Sequence, residues 1–147
     1  MFDIMVNVDR SLCPPYPDWK TGVLHPELER KGPSKYSLRQ MVEVWRHPQQ
    51  EERSIFGADL YGYLESTGEL NWCLNLQDAQ SIQPIGAPAF LGLFGDNVIL
   101  LPGTVITNGN DQFILVMYVD SDKVVVEWRL LFLHVDKFHP ILRFRSG

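Results

Sequence analysis

The spacing of hydrophobic residues changes once along the chain, near Gly95. Before this point, hydrophobic residues recur three and four positions apart in several segments, which is typical of amphipathic helices. After it, the runs NVILLPGTVIT, QFILVMYV and VVVEWRLLFL are rich in β-branched and aromatic residues and are separated by NGND and DSDK. Runs of this kind favour strands joined by tight turns. Helices followed by such a meander predict an α+β domain.

The first predicted helix begins in YSLRQMVEVWRHP, where Ser37 is a suitable N-cap and Gln40 completes the pattern of a capping box. Pro48 is expected to end this helix, because the residue before a proline is displaced from the α region. The hydrophobic residues that share one helical face are Leu38, Met41, Val42 and Trp45. This face is expected to be buried.

Two further helical segments are predicted before Gly95. In EERSIFGADLYGYLESTG, Gly68 suits the left-handed conformation that follows a helix end, and Gly57 and Gly62 are interpreted as sites of close packing because glycine is unfavourable within a helix. The stripe expected to be buried consists of Phe56, Leu60, Tyr63 and Leu64. LQDAQSIQPIGAPAFLGLFG is predicted to form a helix interrupted at Pro84 and Pro88, or else two short helices.

The predicted C-terminal strands are separated or interrupted by turn-forming residues. Asn108-Gly109 predicts a type I′ hairpin turn, and Pro102-Gly103 predicts a bulge or a break within a strand. A short strand or a tucked terminus is also predicted over MFDIMVNV at the start, and a short strand over Ile141 to Phe144 at the end. One face of the VVVEWRLLFL strand is expected to meet the helices, and it consists of Val124, Val126, Trp128, Leu130 and Phe132.

The stretch from Cys13 to Tyr36 contains five of the ten prolines and three aromatic residues. Three roles are considered, namely a docking peptide for another protein, a flexible linker and an ordered strap on the same domain. Its Pro-Pro-Tyr-Pro segment has the P-x-x-P spacing of a docking peptide. The stretch as a whole is too apolar for a flexible linker. Its aromatic residues Trp19 and Tyr36 gain most by lying on a core, as they would in a strap. We therefore predict a strap.

These elements predict one domain over all 147 residues. The strap occupies residues 1–36, the helical part 37–95 and the antiparallel meander 96–147. In this fold the strap and two to four helices pack on three to four strands. Hydrophobic residues make up 45% of the chain, which is enough for a domain of this length to build its own core.

The net charge of −5 comes from one segment, residues 57–96, which contains no Lys or Arg. Its acids are Asp59, Glu65, Glu69, Asp78 and Asp96. Acidic surfaces repel phosphate backbones, so nucleic acid is an unlikely partner. No signal peptide is recognised, and the longest apolar run, Ile114 to Val119, is far shorter than the roughly 20 residues that cross a bilayer. A cytoplasmic protein without membrane attachment is therefore expected.

Few residues suggest chemistry. His134, Asp136 and His139 in HVDKFHP form the closest approach to a metal-ligand set, but a third strong ligand is missing nearby. Cys13 and Cys73 lack a neighbouring base, and the acids around Cys73 would raise its pKa. No phosphate-binding loop, dinucleotide motif or nucleophile elbow occurs, so no cofactor is expected. Trp45, Trp72 and Trp128 are interpreted as packing in the core or at its rim.

Several segments resemble a group of small bacterial proteins with no assigned function. The resemblance is carried by HPELE at His25 to Glu29, by Gly32-Pro33, and by the Y-x-L pattern and tryptophan-bearing helix at Tyr36 to Trp45, together with GADLYGYLE and the closing WRLLFL and HPILRF. It covers most of the chain and implies no activity, cofactor or substrate. The interruption at Pro84 and Pro88 departs from the smoother helix expected in this group.

Three functional hypotheses follow. The first is a non-catalytic protein-interaction module of bacterial or phage type that binds an unidentified protein through a surface on the strap and the acid-rich helices. The residues assigned to this surface are Tyr16, Asp59, Glu65, Glu69 and Asp78. The second is a small metal-dependent hydrolase that uses His134, Asp136 and His139. The third is an acidic protein that imitates nucleic acid and so inhibits a nucleic-acid-binding partner.

Overall fold

A computed structural model describes residues 3–145 and shows an α+β fold. The strands are β1 (Met5–Asn7), β2 (Gly22–Leu24), β3 (Lys35–Ser37), β4 (Val42–Trp45), β5 (Ile55–Phe56), β6 (Ile99–Asn108), β7 (Asp111–Asp120), β8 (Lys123–Leu130), β9 (His134–Val135) and β10 (Ile141–Phe144). The α-helices are α1 (Leu38–Met41), α2 (Pro48–Glu52), α3 (Gly57–Ser66), α4 (Leu76–Ile82) and α5 (Ala87–Phe94). Short 3-10 helices cover Pro26–Arg30, Glu69–Trp72 and Gln83–Ile85.

The main sheet has the strand order β4-β10-β6-β7-β8, and β2 pairs with the second half of β6. Strands β6, β7 and β8 form the predicted antiparallel meander. The predicted strand from Ile141 to Phe144 is confirmed as β10, which runs parallel to β6 and antiparallel to β4. The N-terminal strand is confirmed over Met5–Asn7, whereas Met1 and Phe2 lie outside the described residues.

Both faces of this sheet are buried. Successive side chains of a strand point to opposite faces, so each strand contributes to two cores. On one face, Leu101, Leu115 and Met117 form a first core with α4 and α5. On the other face, Leu100, Ile114 and Val116 form a second core with α3.

The expected inner face of β8 is confirmed in part. Val124, Val126 and Trp128 pack in the first core. Leu130 and Phe132, at and beyond the end of the strand, are instead 41% and 75% exposed.

The predicted helix after Ser37 is largely wrong. Ser37 does cap a helix, since its Oγ accepts a hydrogen bond from the Gln40 backbone N–H at 3.1 Å. The helix ends after one turn, however, and the chain continues as β4, which pairs with β10. Met41 is therefore 40% exposed, and Trp45 is only partly buried against the second core. Pairing with another strand has overridden the local helical pattern.

The helix predicted around ADLYGYLES is confirmed as α3, but it begins at Gly57 because a separate short helix and β5 precede it. Leu60 and Leu64 are buried as expected, whereas Tyr63 is 36% exposed and Tyr61 takes its place in the core. Gly68 adopts the predicted left-handed conformation, with φ of 78°.

The structure decides between the two alternatives for the remaining helical segment. The segment with Pro84 and Pro88 forms two short helices, α4 and α5, joined by the 3-10 turn Gln83–Ile85. None of the helices within residues 3–145 has both the length and the apolar character needed to cross a bilayer.

The turns of the meander differ from one another. The predicted irregularity at Pro102-Gly103 is confirmed as a register shift between Leu101 and Val105. The predicted type I′ turn at Asn108-Gly109 is wrong, because Asn108 still pairs with Asp111 and only Gly109 of the two turn residues has positive φ, as in a type II′ turn. Ser121 and Asp122 instead have the two positive φ values of type I′.

The proline-rich stretch lies along the edge of the sheet rather than away from it. Strand β2 pairs with β6, and the Thr21 N–H donates a hydrogen bond to the Thr107 carbonyl at 2.7 Å. Trp19 packs edge-on against Phe113 with 4.9 Å between the ring centroids. Tyr36 in β3 is 1% exposed, so it anchors the other end of the stretch in the first core.

A candidate binding groove at Trp72

The five residues assigned to an interaction surface do not form one surface. Asp78 is fully buried, so its assignment to the surface is wrong. Its Oδ1 accepts hydrogen bonds from Arg10 Nη2 at 2.8 Å and from the Tyr36 hydroxyl at 2.7 Å. Its Oδ2 accepts one from the Asn75 backbone N–H, which completes a capping box at the start of α4. Asp78 therefore ties the strap to the helices.

A second buried carboxylate, Glu29, supports the same connection. It is 3% exposed and accepts a hydrogen bond from the Thr104 hydroxyl, whose oxygen in turn accepts one from the Leu76 backbone N–H at 2.8 Å. The pKa of Glu29 is raised to about 7, chiefly by burial and to a smaller extent by the nearby charge of Asp78, while the hydrogen bond from Thr104 opposes the change. This carboxyl belongs to the packing of the strap and is almost completely buried.

The other four assigned residues are scattered. Tyr16 is partly buried against the first core, and burial is the main cause that raises the pKa of its hydroxyl. Asp59 is exposed in the first turn of α3. Glu65 Oε2 lies 2.5 Å from His25 Nε2, and Glu69 Oε1 lies 3.1 Å from Arg143 Nη1. Two of the predicted acids therefore already have partners within the chain, and no continuous acidic face results from these residues.

The histidine-containing turn forms only part of the hypothesised metal-ligand set. His139 Nδ1 lies 3.0 Å from Asp136 Oδ1, and the same oxygen accepts a hydrogen bond from the Phe138 backbone N–H, which lowers the pKa of Asp136. His134 lies against the ring of Phe56, with 5.3 Å between centroids. Among residues 3–145, no three His, Cys, Asp or Glu side chains are grouped so that they could hold a metal ion.

The two cysteines differ in their surroundings. Cys13 is exposed, whereas Cys73 is buried. Burial raises the pKa of Cys73 to about 12, while the nearby Arg143 opposes this and Glu69 adds to it. The prediction of a raised pKa is confirmed, although desolvation rather than the acidic surroundings is the main cause.

A recessed site with polar lining lies around Trp72, which is 48% exposed at the end of the 3-10 helix after α3. It borders two recesses, of about 150 and about 420 Å³, which share Trp72 and Phe144 and together form the Trp72 groove. The first recess is lined by Glu43, Thr67, Gly68, Glu69, Trp72, Arg143 and Phe144. The second is lined by Lys31, Gly32, Pro33, Asn71, Trp72 and Phe144.

Arg143 of β10 fixes the geometry of the first recess. Its Nε donates a hydrogen bond to Glu43 Oε1 at 2.7 Å, and its Nη1 lies 3.1 Å from Glu69 Oε1. Its guanidinium also lies over the ring of Trp45 at 4.8 Å, an arrangement that favours a cation–π contact. Because the side chain is 19% exposed and held on three sides, it has little freedom to reorient.

One polar atom of this recess is left without a partner. Glu69 Oε2 is buried and accepts no hydrogen bond within the described residues, although Oε1 of the same carboxylate is paired. A buried acceptor without a partner costs free energy, so a ligand that donates a hydrogen bond there gains affinity. The exposed indole of Trp72 next to it offers a flat apolar contact.

The sequence does not predict this groove, because its pattern places Trp72 in the core or at its rim. Its neighbours hold the only available signal, since Gly68, Glu69 and Asn71 are small or polar and sit directly around the tryptophan. An aromatic residue in polar surroundings just after a helix end is typical of a surface position. The contribution of Glu43 and Arg143 depends on the pairing of β4 with β10, which local pattern does not reveal.

No family model matches the chain, and no match is found among curated proteins or solved structures. The resemblance to small bacterial proteins of unassigned function therefore stays a prediction.

Proposed function

We propose that this protein is a non-catalytic interaction module that binds a segment of another protein in the Trp72 groove. The observation that supports it is the half-exposed Trp72 indole between two recesses, beside the unpartnered Glu69 Oε2. An aromatic anchor next to polar groups is the usual centre of a protein interface.

The groove also indicates what part of the partner enters it. The free acceptor on Glu69 favours a side chain with an N–H donor, such as lysine, arginine or an amide. The second recess has Lys31, whose Nζ already donates to Asn71 Oδ1 at 3.0 Å, so the groove as a whole is of mixed charge. A polypeptide segment with donors and apolar surface fits this mixture better than a phosphate backbone does. We further propose a cytoplasmic location for this interaction.

A comparative capture experiment tests the proposal. The wild-type chain, Trp72→Ala and Trp19→Ala are each immobilised, and proteins retained from the lysate of the source organism are quantified by mass spectrometry. Trp19 is the matched control because it is 43% exposed but packs on Phe113, away from the groove residues. A partner retained by wild type and Trp19→Ala and lost with Trp72→Ala supports the groove. Equal retention by wild type and Trp72→Ala contradicts it.

A further inference from the structure

The strand β8 lies at one edge of the main sheet. Its eight residues all pair with β7, and within residues 3–145 no strand pairs with its other side. Natural proteins protect such edges with prolines, bulges, lysines or very short strands. β8 contains no proline, its register with β7 is regular throughout, and its single lysine, Lys123, is its first residue.

The hairpin turn determines which backbone groups face outward. Because Ser121 and Asp122 form a two-residue turn, Asp120 and Lys123 are a hydrogen-bonded pair, and such pairs alternate along an antiparallel ladder. The bond from the Leu131 N–H to the Gln112 carbonyl, at 2.9 Å, continues this alternation. Odd-numbered residues of β8 therefore bond to β7. The residues whose N–H and C=O groups point to the free edge are Val124, Val126, Trp128 and Leu130.

One end of this edge is already occupied. The Gln83 side chain donates a hydrogen bond from Nε2 to the Val124 carbonyl at 3.0 Å, so the 3-10 turn between α4 and α5 covers the start of β8. The open section is therefore Val126 to Leu130. Exposed apolar side chains continue from its end, because Leu130 and Phe132 are 41% and 75% exposed.

We propose that β8 pairs antiparallel with β8 of a second copy of this chain, about a twofold axis at Trp128. In this register Trp128 faces its own equivalent, Val126 faces Leu130, and Glu127 faces Arg129 of the other copy. Both charged side chains are about one-third exposed, lie on the same face of the strand and are 2.9 Å apart within one chain, and Arg129 also lies over the Tyr118 ring of β7. In the dimer Glu127 and Arg129 would exchange their intrachain pair for pairs between the copies. A C2 interface needs this kind of self-complementarity.

Other registers are disfavoured by the same residues. An axis at Glu127 would place two glutamates opposite each other, and an axis at Arg129 would do the same for two arginines, which is unfavourable for directly opposed residues. An axis at Val126 would require the Val124 backbone, whose carbonyl is held by Gln83. Only the axis at Trp128 combines opposite charges with free backbone groups.

Sedimentation equilibrium of charge variants tests this pairing. The wild-type chain should have twice the 16.9 kDa mass of the monomer. Glu127→Arg and Arg129→Glu should each be monomeric, because like charges then face each other, and an equimolar mixture of the two should form a heterodimer. The control Lys123→Glu, at the covered end of the strand, should dimerise as wild type does. Unchanged circular dichroism spectra verify that the variants fold.

The result that would overturn the proposal is a wild-type monomer at every soluble concentration, or a mixture of the two variants that stays monomeric. A cross-link that keeps the native charges gives an independent measurement. Val126→Cys/Leu130→Cys, in a Cys13→Ser background, places cysteines opposite each other between copies at about 5.5 Å between Cα atoms, within disulfide reach. Mild oxidation should yield a covalent dimer, and a chain that stays monomeric under these conditions would also refute the register.

Discussion

At the scale of single residues, two buried carboxylates hold the strap to the domain. Asp78 is compensated by Arg10, whose side chain is 10% exposed, and by the hydroxyl of Tyr36. Glu29 has no cation in direct contact within the described residues, and its Oε2 has no hydrogen-bond partner. The hydrogen bond from Thr104 offsets the burial of this carboxyl only in part, so Glu29 is most stable when it carries a proton.

The stability of the protein should therefore depend on the protonation of Glu29. Its pKa is raised from 4.5 to about 7 on folding, so its contribution is complete below pH 4.5 and is lost as the pH rises through about 7. The loss amounts to about 3 kcal/mol in the free energy of unfolding. Glu29→Gln stays neutral, so it should match wild type near pH 4.5 and be the more stable protein at pH 8.

Urea denaturation of both proteins between pH 4.5 and 8 measures this difference. Comparing the two at each pH removes the titration of all other groups. The matched control is Glu27→Gln, which alters an exposed carboxylate of the same 3-10 helix outside the buried network. A wild-type minus Glu29→Gln difference that stays constant with pH would show that Glu29 is not buried as described.

The charged residues also show what sequence can reveal at this scale. Asp78 follows Asn75 as a helix-capping acid should, but nothing in the pattern indicates that Arg10, 68 positions earlier, covers it. The sequence alone therefore places Asp78 on a surface. Whether a charged residue is buried depends on a distant partner that compensates its charge, so its burial cannot be predicted before that partner is known.

At the scale of elements, the sequence predicted the C-terminal meander, its bulge and β10 well, because alternation and turn residues are local signals. It failed where one pattern fits two structures. The hydrophobic positions from Leu38 to Trp45 suit a helix, yet Val42 and Val44 also suit a strand, and pairing with β10 decides between them. The groove was missed for the same reason, since two of its charged residues meet only through this pairing.

Helix α3 offers a matched pair of glycines for a test. A Cβ at Gly57 would lie 2.3 Å from the Leu131 carbonyl oxygen, whereas a Cβ at Gly62 would meet no atom within 4 Å. The interpretation as close packing is thus confirmed for Gly57 and wrong for Gly62. Gly57→Ala should destabilise the protein by about 1–3 kcal/mol, and Gly62→Ala should stabilise it by about 0.5–1 kcal/mol.

Denaturant midpoints of the two variants measure these changes in stability, because the slope of the unfolding curve should not change. The same substitution should then change the stability of the protein in opposite directions at two positions of one helix. Equal midpoints for Gly57→Ala and Gly62→Ala would mean that α3 does not approach the segment after β8 as closely as described.

At the scale of the whole molecule, the two proposed interfaces use opposite edges of the main sheet. The Trp72 groove lies beside β4 and β10, and the proposed self-association uses β8. A dimer would therefore leave both grooves open. Two grooves on one particle increase the apparent affinity for a partner that presents two copies of the bound segment.

The affinity of the captured partner for groove variants tests the central claim most directly. Isothermal titration calorimetry compares wild type, Trp72→Ala and Trp19→Ala under the same conditions. Loss of a central aromatic anchor costs about 2 kcal/mol or more, so Trp72→Ala should raise the Kd at least about 30-fold, while Trp19→Ala stays within about threefold of wild type. A wild-type Kd for Trp72→Ala together with a weakened Trp19→Ala would contradict the account and place the binding surface at the other end of the sheet.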